Sequence, residues 1–409
     1  MIQLLLSVFL FAVFCNSAFG IGPNLYPIRL VLPVVLVYFS ILFFQKIILL
    51  KEKLRIEPLV LFTFLFFIFM FFHTALVTYL RYDLLSVDYD INSLLNYGFL
   101  VMLIIGIYLS FLAVKDQFFV VLNRVVMSSY IAYLVFAIYE IITGNHLPVS
   151  NLVNSPWWMS HVPTVVYYNS NDFAAIFTIM FAYIISVYDQ KRTTPALIII
   201  GVFVIHIVIA YFSMSRLAFI ISILFYLYRY PKYFFQTILL AIPVGLIFIG
   251  LVNESQLMQA YDSFVGLKND LSFSERESTS VRLQLYKYAL LSPLSNFGMG
   301  FGIDASEAFY RSIQDPNLHF IVNPHSYIFE LLINSGVFAT LIYVFINAYL
   351  IIKNLIYKQH DMMIQVVLYN LLLFSSSSSL FLWPTYLFFI VYICKTSYTI
   401  RLFEKKSKN

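Results

Sequence analysis

Two arginines and a histidine, far apart in the sequence, are of the types that could together handle a sugar phosphate. Arg216 stands in Tyr211-Phe212-Ser213-Met214-Ser215-Arg216-Leu217-Ala218-Phe219, between two apolar stretches with almost no loop. That places it at a helix end, beside free N–H groups and the positive end of the helix dipole, a combination that attracts phosphate. An interfacial arginine snorkelling to lipid headgroups is the plainer alternative. Arg282 stands in Ser278-Thr279-Ser280-Val281-Arg282-Leu283-Gln284-Leu285-Tyr286-Lys287-Tyr288-Ala289-Leu290, whose serine-rich start offers an N-cap. Leu283, Tyr286 and Leu290 then share a face at helical spacing, which predicts a helix lying on the bilayer with Arg282 near its start; a merely solvated charge is the alternative. His325 lies in Asn323-Pro324-His325-Ser326-Tyr327. Pro324 suits the first turn of a helix, so His325 is expected at a helix N-terminus, where the local potential favours a neutral ring able to take a proton. A polar interface histidine is the alternative there. A lipid-linked pyrophosphate needs cations and a sugar hydroxyl needs a base, and this set supplies both.

Other candidates are weaker. Gly298-Met299-Gly300-Phe301-Gly302 has no preceding strand and is poor evidence for nucleotide binding. Its glycines are expected to allow a tight turn or a close backbone approach. His73 and His206 fall inside apolar stretches and are read as packed, hydrogen-bonded side chains. His146, His161 and His319 have no carboxylate or cysteine grouping that would suggest zinc, and no metal or other cofactor is expected. Cys15 and Cys394 read as small buried hydrophobes.

The elements that must position these residues are dictated by composition. Of 409 residues 61% are hydrophobic and only 11% charged, against about 25% charged in soluble domains. So little charge excludes a soluble enzyme, a disordered chain and a nucleic-acid binder, despite a net charge of +5. The fold class expected is an all-α integral membrane protein, because the apolar runs are too long for barrel strands and helices satisfy their own backbone in lipid. About twelve transmembrane helices are expected, near 2–18, 28–50, 58–80, 93–114, 118–142, 172–188, 196–213, 216–230, 233–252, 326–352, 362–375 and 379–399. The first is read as a retained helix, although Asn16-Ser17-Ala18-Phe19-Gly20 resembles a signal-peptide cleavage region. With the N-terminus inside, 17 of the 25 Lys and Arg fall on the cytoplasmic side, and the reverse orientation breaks the positive-inside rule at nearly every loop. The organisation expected is helices 1–9 over 1–252, a folded external loop with catalytic elements over 253–325, and helices 10–12 with a basic cytoplasmic tail over 326–409. A second external segment, 144–171, contains no Lys or Arg. Ser375 to Ser379 read as the outer turn of the last hairpin.

Four stretches, in this order, resemble the O-antigen polymerase and ligase superfamily of bacterial cell-envelope glycosyltransferases. They are Tyr168-Asn169-Ser170-Asn171-Asp172-Phe173-Ala174, Ser213-Met214-Ser215-Arg216, Arg282 through Gly302 with Pro293, and Asn323-Pro324-His325-Ser326-Tyr327 followed by Ser335-Gly336. The resemblance covers about residues 140–350. One departure is Phe338-Ala339, where a second glycine is common. Glu140-Ile141-Ile142-Thr143-Gly144-Asn145-His146-Leu147-Pro148 is more similar to the polymerase members than to the ligases.

The resemblance implies a fold of the multi-span GT-C type, with the active site on the periplasmic or exterior face of the bacterial inner membrane and the C-terminus in the cytoplasm. It implies that Arg216 and Arg282 bind the pyrophosphate of an undecaprenyl-pyrophosphate-linked glycan, that His325 activates the acceptor hydroxyl, and that Asn171, Gly300 and Asn323 contribute to substrate binding. It implies no cofactor. Implied partners are the lipid bilayer, the lipid-linked glycan, and a chain-length regulator and flippase of the same pathway. The implied activity is polymerisation of repeat units into O-antigen, capsule or exopolysaccharide. Ligation of finished polysaccharide to an acceptor such as lipid A core uses the same donor chemistry. A lipid-linked sugar flippase is a third class, but such transporters place ionisable residues around a midplane cavity, where this chain has almost no Lys or Arg.

Overall fold

The computed structural model describes residues 2–20, 26–48, 57–80, 91–153, 159–190, 193–251, 278–313, 326–374 and 382–406. Among them there is no strand. The helices are α1 (Ile2–Phe14), α2 (Pro27–Ile48), α3 (Pro58–Leu80), α4 (Ile91–Val114), α5 (Asp116–Thr143), α6 (Ser170–Tyr188), α7 (Ala196–Phe212), α8 (Arg216–Arg229), α9 (Phe234–Leu251), α10 (Ser278–Ser295), α11 (Ala305–Ser312), α12 (Tyr327–Ile356), α13 (His360–Leu373) and α14 (Trp383–Lys406). Each apolar stretch expected to span the membrane contains one of them. Six helices, α2 to α6 and α12, are long and apolar enough to cross a bilayer by length and composition, and α1, α7 and α13 are shorter apolar helices.

These helices are apolar on every side because they have two apolar environments. On α2, Ile28, Leu32, Val35 and Phe39 are buried, while Leu30, Val34, Val37, Ile41, Phe44 and Ile48 form an exposed stripe at the same helical spacing. A helix of this kind cannot be held in water by burial alone; the outer stripe needs lipid.

The chain forms two compact units. The first comprises residues 1–9, 28–119 and 272–409, and the second residues 10–27 and 120–271. In the first, aromatic side chains fill the core between α3, α12, α13 and α14: Phe389 lies 5.9 Å from Phe67, 5.4 Å from Tyr343 and 6.2 Å from Tyr369, ring centre to ring centre. Amide side chains fasten the same helices, with Asn354 donating to Thr396 and Asn370 to Asn347, each at 2.9 Å. α12 is two helical halves joined at Gly336, where φ is 83° and ψ −179°.

In the second unit α6 is the centre, with every residue from Asp172 to Ser186 buried. His206 of α7 lies against it, fully buried. The ring stacks 4.2 Å from Phe181 and 4.7 Å from Phe177, and bonds Tyr130 at 3.1 Å and Ser222 at 2.9 Å. It is the packed histidine expected. Cys15 and Cys394 are free and buried, as expected.

Candidate functional site

In the first unit the glycine-rich segment and the break in α12 are one construction. Phe301 N–H donates to Ile333 O at 2.8 Å, Gly302 N–H to Asn334 O at 2.9 Å, and Val337 N–H to Gly298 O at 2.9 Å. A helix cannot accept these bonds while making its own; the extended geometry at Gly336 releases the groups that the segment uses. Gly300 has φ +86°, and a Cβ there would stand 2.6 Å from Asn334 O and 2.8 Å from Ser335 C. The close backbone approach expected of this segment is what the glycines permit.

α3 supplies the third side. His73 Nε2 donates to Met299 O at 3.0 Å, and its ring stacks on Phe69. Thr78 donates to Thr74 O and accepts from Ile303 N–H at 2.8 Å. Thr74 gives its own proton to Met70 O, so Ser335 Oγ donates to it at 2.9 Å. These anchors lie more than two hundred residues from the segment they hold, and no local spacing could have revealed them.

Arg282 is half-buried near the start of α10. That helix runs in the same direction as the first half of α12. Tyr286, one turn after Arg282, stacks on Phe329 at 4.4 Å, and Leu285 and Ala289 join Phe309, Tyr310, Leu332 and Ile333 in a core against which Tyr286 packs. Tyr310 of α11 clamps the pair by donating to Leu285 O at 3.0 Å. The Arg282 end of α10 is therefore held level with the first turn of α12, whose cap is Ser326. Burial pushes the Tyr286 hydroxyl above the usual phenol range, partly offset by the Arg282 guanidinium. Of the face expected to lie on the bilayer, Tyr286 alone packs inward, on Phe329. Leu283 and Leu290 are exposed, and the buried stripe is Leu285, Ala289, Ser292 and Asn296. His325 and Asn323 lie outside the described residues, as do His319 and the serine run at 375–379.

In the second unit Arg216 is the first residue of α8, as expected, and is half-buried. Met214 takes a left-handed φ of 55°, which turns the chain from α7 into α8. Ser215 makes no side-chain cap bond, so guanidinium and helix N-terminus add positive potential at one place.

The same unit contains a buried carboxylate that motif reading passed over. Glu140 Oε2 accepts Thr164 N–H at 2.7 Å and Val165 N–H at 2.9 Å, while Oε1 lies 3.4 Å from His146 Nδ1. His146 donates from Nε2 to Ser160 O at 2.6 Å, and His161 bonds Ile141 O at 2.8 Å. His146 thus has one carboxylate neighbour; the spacing of Glu140 and His146 within one motif was the available signal. The pair is not a metal set, since no group of three metal-ligating side chains occurs among the described residues. The clasp holds the segment that leads into α6, where Asn169 caps the helix by accepting Asp172 N–H at 2.9 Å and donating to its carboxylate at 2.8 Å. Asn171 is the second residue of α6 and half-buried.

Apolar helices long enough to cross a membrane, with a helical segment folded against a broken helix, define an all-α integral membrane protein. Residues 201–344, which include Arg216, Arg282 and the whole glycine interlock, match the family described as O-antigen ligase. The chain is 24% identical over 281 residues to the teichuronic acid biosynthesis protein TuaE of Bacillus subtilis (strain 168), a match covering 66% of this chain and 58% of that relative. Both findings support the O-antigen polymerase and ligase superfamily.

Proposed function

We propose that this protein is a glycosyltransferase of cell-surface polysaccharide assembly that polymerises undecaprenyl-pyrophosphate-linked repeat units on the outer face of the cytoplasmic membrane. The observation that carries the reading is the glycine interlock inside the family-matched segment, which holds the Arg282 end of α10 beside the first turn of α12. In sequence His325 directly precedes Ser326, the cap of that helix. In the reaction His325 takes the proton of the acceptor hydroxyl, the hydroxyl oxygen bonds the anomeric carbon, and the carbon–oxygen bond to the pyrophosphate breaks. Arg216 and Arg282 neutralise the charge that gathers on the departing pyrophosphate. One displacement inverts the anomeric centre. Asn171, Gly300 and Asn323 line the substrate's path, the C-terminus is cytoplasmic, and the flippase and chain-length regulator of the same pathway are the expected partners.

A second reading, ligation of finished polysaccharide to a separate acceptor, is favoured by the description of the matching family itself. Purified protein in vesicles with lipid-linked repeat units and no ion gradient separates the readings. Longer chains on the lipid carrier support polymerisation, and transfer only to an added acceptor supports ligation. Failure of both, with movement of the lipid across the bilayer, supports transport.

A further inference from the structure

Three polar side chains of α12 have no part in the arrangement described so far. Ser326, Glu330 and Asn334 follow at four-residue intervals, about 6 Å apart along the helix, and each is more than nine-tenths buried. Neither amide atom of Asn334 has a hydrogen-bond partner, and the Ser326 hydroxyl has none. Ser326 caps the helix through its backbone alone. A buried amide that bonds nothing costs more than an apolar group of its size would, and an ionisable residue in a membrane helix marks a functional site by default.

The surroundings indicate what the stripe would bind. Glu330, Tyr310 and Tyr386 are all buried. The Tyr327 ring is 6.3 Å from that of Tyr386 and 5.0 Å from that of Tyr343. A hydroxyl gives and accepts, an amide offers two N–H groups and a carbonyl, and a carboxylate accepts. Such a series, with aromatic faces beside it, suits the hydroxyls of a sugar ring.

We infer that Ser326, Glu330 and Asn334 form a sugar-hydroxyl subsite along α12, leading on from the end beside Arg282, where the proposed reaction holds the pyrophosphate. The inference rests on the proposed glycosyl transfer. It divides the substrate between two places, with charge held at the helix ends and sugar on the side of α12.

Asn334→Leu tests it, because removing an unpartnered buried amide leaves folding intact or improves it. The subsite predicts a KM for lipid-linked repeat units raised about tenfold, equivalent to about 1.4 kcal/mol, with kcat little changed and thermal stability equal or higher. Unchanged KM with raised stability, as when only an ordered water meets the amide, overturns it. So does a loss of kcat alone. A binding measurement separates this from failure of the proposed reaction. Repeat-unit oligosaccharide freed from its carrier should raise the melting temperature of the wild type by several degrees and leave that of Asn334→Leu unmoved, while inorganic pyrophosphate stabilises both. Equal stabilisation of the two proteins by the oligosaccharide, or of neither, overturns the subsite whether or not polymer forms. Glu330→Gln, which keeps the shape, should weaken the oligosaccharide effect and leave that of pyrophosphate.

Discussion

Gly300 and Gly336 each occupy the space that a side chain on the other segment would need. A Cβ built on Gly300 would lie 2.7 Å from Gly336 N, and one built on Gly336 would lie 2.8 Å from Gly300 N. Both residues have positive φ, 86° and 83°. The glycine-rich segment and the break in α12 therefore define each other, and through them the register of α10 against α12.

Substitution of either glycine by alanine should break that register. A side chain is strained at these φ values, and the atoms it would meet are backbone, which cannot swing aside. We expect a loss of about 2–4 kcal/mol of stability for Gly300→Ala or Gly336→Ala, measured by thermal unfolding in detergent, with transfer activity lost in parallel. Gly201 of α7 is the control: nothing lies within 4 Å of its missing Cβ, so alanine there should be neutral or gain up to about 1 kcal/mol. Equal behaviour of all three variants would remove the interlock from the account.

The helices were legible because lipid and core are both apolar, so each span shows as an unbroken run. On α10 the apolar face expected to lie on the bilayer is largely exposed. Its most apolar stripe, with Leu283, Leu290 and Leu294, is the exposed one, whereas the side facing the protein mixes Leu285 and Ala289 with Ser292 and Asn296. At a membrane the greasiest face reports lipid contact, and packing is left to small and polar groups. The position of Arg216 could be read from the abrupt passage between two apolar runs. The Thr74–Ser335 and His73–Met299 contacts could not, since they join residues 261 and 226 positions apart. Glu140 and His146 stood six residues apart in one motif, but their chain path turns through Gly144 at φ 68°, so their closeness in the sequence did not by itself show that the side chains meet.

Arg282 and Arg216 should be far more sensitive than an exposed arginine outside the proposed site. Removing a donor aimed at developing negative charge costs about 2.7–4 kcal/mol, or about a hundred- to a thousandfold in kcat. Arg282→Ala and Arg216→Ala are expected to lose this much in a reconstituted transfer assay, while the lysine variants retain charge without the planar fork and fall between. Arg311 is the comparison. It pairs with Glu307 at 2.5 Å, but the two side chains are 67% and 56% exposed, and such pairs contribute little. Arg311→Ala should leave rates within about twofold. A loss there matching that of Arg282 would reduce the arginine effect to general surface charge.

Glu140 is expected to matter to stability before it matters to turnover. Alanine would leave the Thr164 and Val165 N–H groups buried without their acceptor and His146 without its neighbour. Leaving a buried donor without its acceptor costs about 1–3 kcal/mol. Glu140→Gln keeps an accepting oxygen and should lose less. Chemical unfolding of the two variants, with protease sensitivity between residues 144 and 169 as a local readout, checks this. Wild-type stability in Glu140→Ala would show that the segment is held by other contacts.

Acid sensitivity should originate in part at Asp189, which ends α6. Its carbonyl accepts Arg229 at 2.6 Å, and its carboxylate accepts Thr194 N–H at 3.0 Å, the Thr194 hydroxyl at 2.9 Å and the Tyr230 hydroxyl at 2.5 Å. Burial alone would raise the pKa of this carboxyl, but the Tyr230 and Thr194 bonds and the Arg229 charge outweigh it and hold the group below its ordinary 3.8. A carboxyl with a depressed folded-state pKa contributes stability that is fully present above the unfolded value and is lost as pH falls through the folded one. Stability should therefore be insensitive to this group from neutrality down to about pH 5, where the unfolded carboxyl is still ionised, and should decline below pH 4. Asp189→Asn keeps the shape, forfeits the charge-assisted bonds, and should start lower at neutral pH but fall less steeply in acid. Unfolding titrations of both proteins from pH 7 to pH 3 measure the two slopes, and identical slopes would assign the acid response to other carboxylates.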